Sequence, residues 1–241
     1  MAVPAVNLKP ALAATARAWK RNLQAMFERA HFILGEELAA FEREFAQALD
    51  ARFAVGCASG TGAIELCLRH AGASSAGGEV LTSALTAPFT AIAILAAGAQ
   101  PQFADVDPDT LQMDPADAAD RIDKRTTAIV PVHLYGQPCR IDLFQSLARA
   151  SGKILIQDAC QAHGARFRGR AFTGFSGFVA FSFYPTKNLG CLGDGGAVLT
   201  NKASVATRLG ALRDGGRVGS QVSRFAGVNS RLDEMQCCYL R

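Results

Sequence analysis

The stretch F181-S-F-Y-P-T-K-N-L-G-C-L-G-D-G-G196 decides how this chain is read. Alternating aromatics at Phe181 and Phe183 read as a strand, and Gly190, Gly193, Gly195 and Gly196 build the turn that follows. Lys187 lies between the two. A lysine serves as a nucleophile only if it sheds its charge near neutral pH, against a free pKa of about 10.4. Burial and neighbouring positive charge do that, and glycines beside it let a bulky ligand lie against the backbone. Taken alone, the segment also fits a surface lysine in a flexible loop.

Working outward, short apolar runs alternate with helical stretches. Strands are expected at 53–57, 79–82, 102–105, 127–132, 153–157, 178–183 and 196–200. Helices are expected at 61–69, 89–97, 115–122, 141–150 and 204–212, preceded by 12–29 and 35–50. In the last of these Leu38, Phe41, Phe45 and Leu49 recur at three- and four-residue intervals, giving one apolar stripe. Strand, crossover helix, strand predicts an α/β fold with a mostly parallel seven-stranded sheet covered by helices on both faces. Functional groups are expected at strand ends.

Composition narrows the function. With 49% hydrophobic and 19% charged residues a sizeable core is available, and a net charge of +4 over 241 residues is weak. The late arginines (Arg208, Arg213, Arg217, Arg224, Arg231) lack the aromatic interleaving of a nucleic-acid surface, so no nucleic-acid partner is expected. No apolar run is long enough to cross a bilayer. The seven cysteines form no C-x-x-C pair and no zinc spacing, so no metal is expected. Their odd number and the plain start M-A-V-P-A-V-N predict a reducing, cytoplasmic setting.

Four strand-end groups fit one job. C57-A-S-G-T-G62 joins a strand to a helix whose N-terminus can seat a phosphate; taken alone it reads first as an ordinary N-cap at Ser59 or Thr61. Asp158 directly follows an apolar strand, where a carboxylate is costly unless it meets something cationic. Ser182 precedes Lys187 on one strand end. V228-N-S-R-L-D-E-M-Q236 opens a helix that Asn229 would cap. Phosphate seat, strand-end aspartate and glycine-flanked lysine together are what pyridoxal phosphate needs: an anchor, a partner for the ring nitrogen and an amine for the aldehyde.

Five blocks carry a family likeness: P-V-H-L-Y-G-Q-P from Pro131 to Pro138, D158-A-C-Q-A-H-G164, F181-S-F-Y-P-T-K-N-L-G190, G193-D-G-G-A-V198 and N229-S-R-L-D-E-M-Q236. Together they closely resemble the DegT/DnrJ/EryC1/StrS sugar aminotransferases. The resemblance implies the type I fold of pyridoxal-phosphate enzymes and a homodimer with shared active sites. By position, Lys187 matches the lysine of the internal aldimine and Asp158 the partner of the pyridine nitrogen. Gln161 matches the residue beside the ring oxygen, and Gly60, Thr61, Gly62 and Ser182 match phosphate-binding positions. Asn229 matches a residue reaching the phosphate from the neighbouring subunit. The implied reaction moves an amino group from glutamate or glutamine to a keto sugar, commonly nucleotide-linked.

Three departures stand out. Gly62 replaces a frequent alanine, a change expected to be harmless. Ala87 stands where an aromatic often stacks on the cofactor, with Phe89 as a substitute. Family members also run on into a small C-terminal domain. Here residues 1–241 are therefore expected to be the cofactor-binding large domain with its N-terminal helical segment, ending inside a helix that leaves Cys237, Cys238, Tyr239 and Leu240 as an exposed apolar face. A non-catalytic remnant, or a sugar dehydratase or lyase of the same fold, is the alternative; related dehydratases carry histidine in place of the lysine, which Lys187 disfavours.

Overall fold

A computed structural model describes residues 3–4, 6–73, 77–175, 177–219 and 222–241. Two helices come first, α1 (Lys9–Arg29) and α2 (Glu36–Ala48). Strands and helices then alternate: β1 (Phe53–Cys57), α3 (Gly60–His70), β2 (Glu79–Ser83), α4 (Pro88–Ala96), β3 (Gln100–Ala104), α5 (Pro115–Arg121), β4 (Thr126–Val130), α6 (Ile141–Ser151) and β5 (Ile154–Asp158). A hairpin of β6 (Arg166–Phe167) and β7 (Arg170–Ala171) interrupts the series. β8 (Phe178–Ser182), β9 (Gly196–Thr200), α7 (Ala203–Leu212) and α8 (Glu234–Leu240) complete it.

The main sheet has seven strands in the order β1-β9-β8-β5-β4-β2-β3. β9 runs antiparallel to both neighbours and the other pairings are parallel. Every expected strand and helix is present, with ends shifted by a few residues. The β6–β7 hairpin was not expected: R-F-R-G-R-A is too short and too charged to show a strand period.

Alternation along β8 shows how the layers form. Val179, Phe181 and Phe183 pack with Leu38, Phe41 and Phe45 of α2. Phe45 meets Phe181 and Phe183 edge-on at ring separations of 5.4 and 5.2 Å, a favoured arrangement for aromatic quadrupoles. Phe178 and Ala180 point the other way, into a core shared with α3, α4 and α7. That second face is where Asp158 and Ser182 emerge, because each continues the alternation of its strand.

Two expectations about the last helix are corrected. Asn229 does not cap it; Asp233 does, its side chain accepting from Gln236 N at 2.9 Å, while Asn229 is bridged to Asp214. Nor are Cys237 and Cys238 exposed. Both are buried where α8 lies against α1 and α2, and Tyr239 meets Trp19 edge-on at 6.2 Å.

Glu234 explains that docking. Its buried carboxylate accepts the N–H groups of Gly35, Glu37 and Leu38 at 2.9–3.0 Å, taking up donors that the start of α2 leaves without intrahelical partners. Glu234→Ala orphans all three. The expected result is a loss of about 3 kcal/mol, read as a lower urea midpoint with unchanged slope.

Candidate active site

Register brings the strand ends together. Asp158 on β5 pairs with Ala180 on β8, Ser182 two residues on pairs with Gly196 on β9, and Gly196 pairs with Cys57 on β1. The C-terminal ends of β1, β5 and β8, with the segments after β2 and β4, open onto a cavity of about 570 Å³. Ser59, Gly60, Thr61, Asp158, Gln161, Ser182 and Lys187 line it, as do Thr86, Ala87, Phe89 and Thr90 from the start of α4. Gly62 and Asn229 do not; Asn229 is exposed beyond the end of α7.

The turn into α3 has the character of an anion seat. Ser59 caps the helix, accepting from Gly62 N at 3.0 Å, and the Ala63 N–H reaches Ser59 O at 2.9 Å. Among the described residues no acceptor takes the N–H of Gly60 or Thr61, so two donors at the positive end of the helix stay uncommitted in residues that line the cavity. Ser182 Oγ accepts from Tyr184 N at 3.3 Å, which leaves its O–H to donate elsewhere. Backbones converge here: a Cβ on Gly60 would lie 2.6 Å from Ser182 Cβ and 2.8 Å from Cys160 Sγ, and one on Gly196 would overlap the Ser59 carbonyl. Gly62 has a reason of its own, since a Cβ there would come 2.7 Å from Ser230 Oγ, the acceptor for Ala58 N.

Lys187 sits on an excursion of the chain pinned at its base. Phe183 N donates to Gly195 O and Cys191 N to Phe183 O, both at 2.7 Å. Inside it Lys187 N donates to Tyr184 O at 2.8 Å, and Gly190 packs so closely on Pro185 O that a Cβ would lie 2.5 Å away. Gln236 on α8 receives Leu192 N at 2.9 Å. Half-buried Lys187 thus extends from a turn held on three sides.

Asp158 is 5% exposed and held from every direction. Its N–H donates to Pro131 O at 3.0 Å and its carbonyl accepts from His133 N at 2.9 Å. Oδ1 accepts from Cys160 N at 3.1 Å and Oδ2 from Thr90 Oγ1 at 2.8 Å. The Cys160 thiol is pushed far up, by burial first and the Asp158 charge second, so it stays a neutral neighbour. Gln161 Oε1 accepts from Tyr135 N at 2.8 Å, which directs the amide NH2 group elsewhere as a donor. Tyr135 itself is 74% exposed and holds a left-handed backbone (φ 57°), strain of the kind that collects at functional sites.

Behind this shell lie two neutral histidines. Fully buried His133 stacks on Phe172, accepts from Cys139 N at Nδ1 (3.1 Å) and meets Gln157 Oε1 at 3.3 Å through Nε2. Acceptance at Nδ1 places the ring proton on Nε2, and Gln157 passes the order on to Phe172 O. Burial lowers His133 to about 4. His163 leans on Phe181, its two ring nitrogens buried and without a well-aligned hydrogen bond, and is lowered to about 4 as well, again mainly by burial.

Sequence reasoning missed Thr90, the His133–Gln157 pair and Tyr135. Thr90 carries no motif, and its partner is 68 residues away. Ala87 forms the N-cap of α4, and Phe89, 59% exposed, lines the cavity beside it.

These residues fit pyridoxal 5′-phosphate: uncommitted N–H and O–H donors for a phosphate, a fixed carboxylate for a ring nitrogen and an amine for an aldehyde. The profile of the DegT/DnrJ/EryC1/StrS aminotransferase family matches residues 15–241. A dTDP-3-amino-3,4,6-trideoxy-alpha-D-glucose transaminase of Streptomyces venezuelae is 41% identical, over 99% of this chain and 63% of its own length. A UDP-N-acetyl-3-dehydro-alpha-D-glucosamine 3-aminotransferase of Acidithiobacillus ferrooxidans is 40% identical, over 100% and 65%. The crystal structure of S. venezuelae DesV in complex with a ketimine intermediate superposes with a TM-score of 0.96 at 41% identity, covering 99% of this chain and 64% of that one. NtdA from Bacillus subtilis, solved with bound cofactor PMP, gives 0.86 at 27% identity, over 94% and 52%. The chain thus spans less than two thirds of the length of these relatives.

The histidines give a pH test. A histidine whose folded pKa lies below its unfolded value contributes stability that is complete above about pH 6.5 and is lost as the pH falls toward 4. Full protonation of His133 costs about 3 kcal/mol. The expected melting temperature falls steadily from pH 7 to 4.5, and His133→Asn, less stable at pH 7, shows a flatter profile over that range.

Proposed function

Because the chain belongs to the DegT/DnrJ/EryC1/StrS aminotransferase family, we propose that it is the cofactor-binding large domain of a pyridoxal 5′-phosphate-dependent aminotransferase that moves an amino group to a nucleotide-linked keto sugar. The observation that carries the proposal is the meeting of Lys187, Asp158 and the uncommitted N–H groups of α3 in one cavity. Relatives named as dTDP- and UDP-sugar transaminases supply the substrate class, and glutamate or glutamine is the proposed donor.

When bound, the cofactor supplies an aldehyde for amine exchange and an electron-withdrawing ring that makes a C–H bond next to nitrogen acidic. The protein does the rest. Gly60 N, Thr61 and Ser182 anchor the phosphate, with the Gly62 amide kept on Ser59 as the cap that shapes the turn. Asp158 would hold a proton on the ring nitrogen, and the Gln161 amide, its oxygen already taken by Tyr135 N, would donate to the ring oxygen. Lys187 would supply the amine that meets the aldehyde, and its Nζ would carry a proton from one carbon to another. Phe89, with Ala87 beside it, covers a face of the cavity.

A homodimer belongs to this proposal. The α4 segment P-F-T-A-I-A-I-L-A is apolar apart from buried Thr90, yet Phe89, Ile92 and Leu95 stand exposed, Phe89 at the cavity, a pattern suited to burial against a second copy. Asn229, outside its own cavity and exposed, is the proposed contact to the phosphate in the neighbouring subunit.

Borohydride treatment of the chain with pyridoxal 5′-phosphate should fix a reduced adduct on the peptide bearing Lys187. Lys187→Ala should abolish that adduct and the transfer of 15N from labelled glutamate to a dTDP- or UDP-linked keto sugar. An adduct mapped elsewhere, or undiminished transfer by the variant, overturns the proposal.

A further inference from the structure

Thr90 is 2% exposed, and its hydroxyl sits between two oxygens: Asp158 Oδ2 at 2.8 Å and Thr86 Oγ1 at 3.0 Å. An ionised carboxylate only accepts, so Thr90 donates to Asp158. Its own lone pair then takes the Thr86 proton, and the order runs Thr86 to Thr90 to Asp158. Thr90 lies in the first turn of α4 and Thr86 just before its N-cap, whereas Asp158 ends β5 and its other oxygen is held by Cys160 N. The carboxylate is therefore fixed in rotation by two elements. No positive side chain lies within ion-pair distance of it among the described residues.

We propose that Thr90, oriented by Thr86, is a positioning residue for Asp158: the donated hydroxyl aims the carboxylate into the cavity and keeps its charge there, so that a shared proton rests on the cofactor's ring nitrogen and not on Asp158. This rests on the reading of the cavity as a pyridoxal-phosphate site. Without the Thr90 donor the carboxylate is left with less stabilisation and becomes the better base. The shared proton then shifts from ring nitrogen to Asp158 oxygen; no bond between heavy atoms changes and no net charge is gained or lost.

The decisive measurement is 15N NMR of pyridoxal 5′-phosphate labelled at the ring nitrogen and bound to the full chain, followed from pH 6 to 9. In the parent the resonance should sit at the protonated position throughout. Thr90→Ser, which keeps the hydroxyl, should match it. Thr90→Val, nearly isosteric, should move it toward the unprotonated position, with the proton equilibrium shifted about tenfold. Thr86→Val should move it the same way by less. A merely structural threonine would lower the melting temperature of Thr90→Val and leave the resonance in place, which overturns the inference. If Thr90→Val does not fold, Thr90→Ala and Thr86→Val decide by the same readout, an unmoved resonance in both being fatal. A parent chain that binds no cofactor removes the functional reading and this inference together, whereas a bound parent with unshifted variants removes only the inference.

Discussion

The close approach of three backbones around Gly60 and Gly196 is the constraint on which the site depends. β9, antiparallel to both its neighbours in the main sheet, is wedged between β1 and β8, and its first residue lies against the Ser59 carbonyl with no room for a side chain. Gly60 in turn packs on Ser182 and Cys160, where a Cβ would lie 2.6 and 2.8 Å from their side chains. The positive end of α3, the hydroxyl ending β8 and the segment after β5 are thereby drawn to one point. A methyl group at either glycine would push apart the donors that make the turn an anion seat.

From that point the chemistry divides along the sheet. Polar order is strictest around Asp158, where main-chain bonds fix the strand end and Thr90 and Cys160 fix the carboxylate. His133 and Gln157 extend this order into the core, stacking on Phe172 and closing on its carbonyl. Lys187 is treated differently. Its turn is held at Phe183, Gly190 and Leu192, while among the described residues its side chain makes no hydrogen bond or ion pair. A bonded carboxylate and an unbonded amine thus share one cavity.

The fold was legible because buried parallel strands leave continuous apolar runs such as I154-L-I, and because the α2 stripe leaves a helical period. Lys187, Asp158 and Ser182 were legible because chemistry gathers where such runs stop. Thr90 was not, because one threonine in an apolar helix is indistinguishable from packing until the fold sets it against Asp158. The cap at Asp233 was within reach of the sequence: D233-E-M-Q236 carries the spacing of a capping box, but Asn229 offers a competing cap four residues earlier. Gly62 reads as interchangeable with alanine because Ser230, which crowds it, lies far along the chain.

Glu234 has a consequence for the order of events during synthesis. The first turn of α2 takes its acceptor from a residue 197 positions beyond Glu37, so it waits for that residue to leave the ribosome. At ~5–20 residues per second the interval is on the order of 10–40 s. For most of that time the aromatic stripe of α2 also awaits Phe181 and Phe183. The first turn of α2 is thus completed late, only once the start of α8 has emerged, although its residues are among the first to be made.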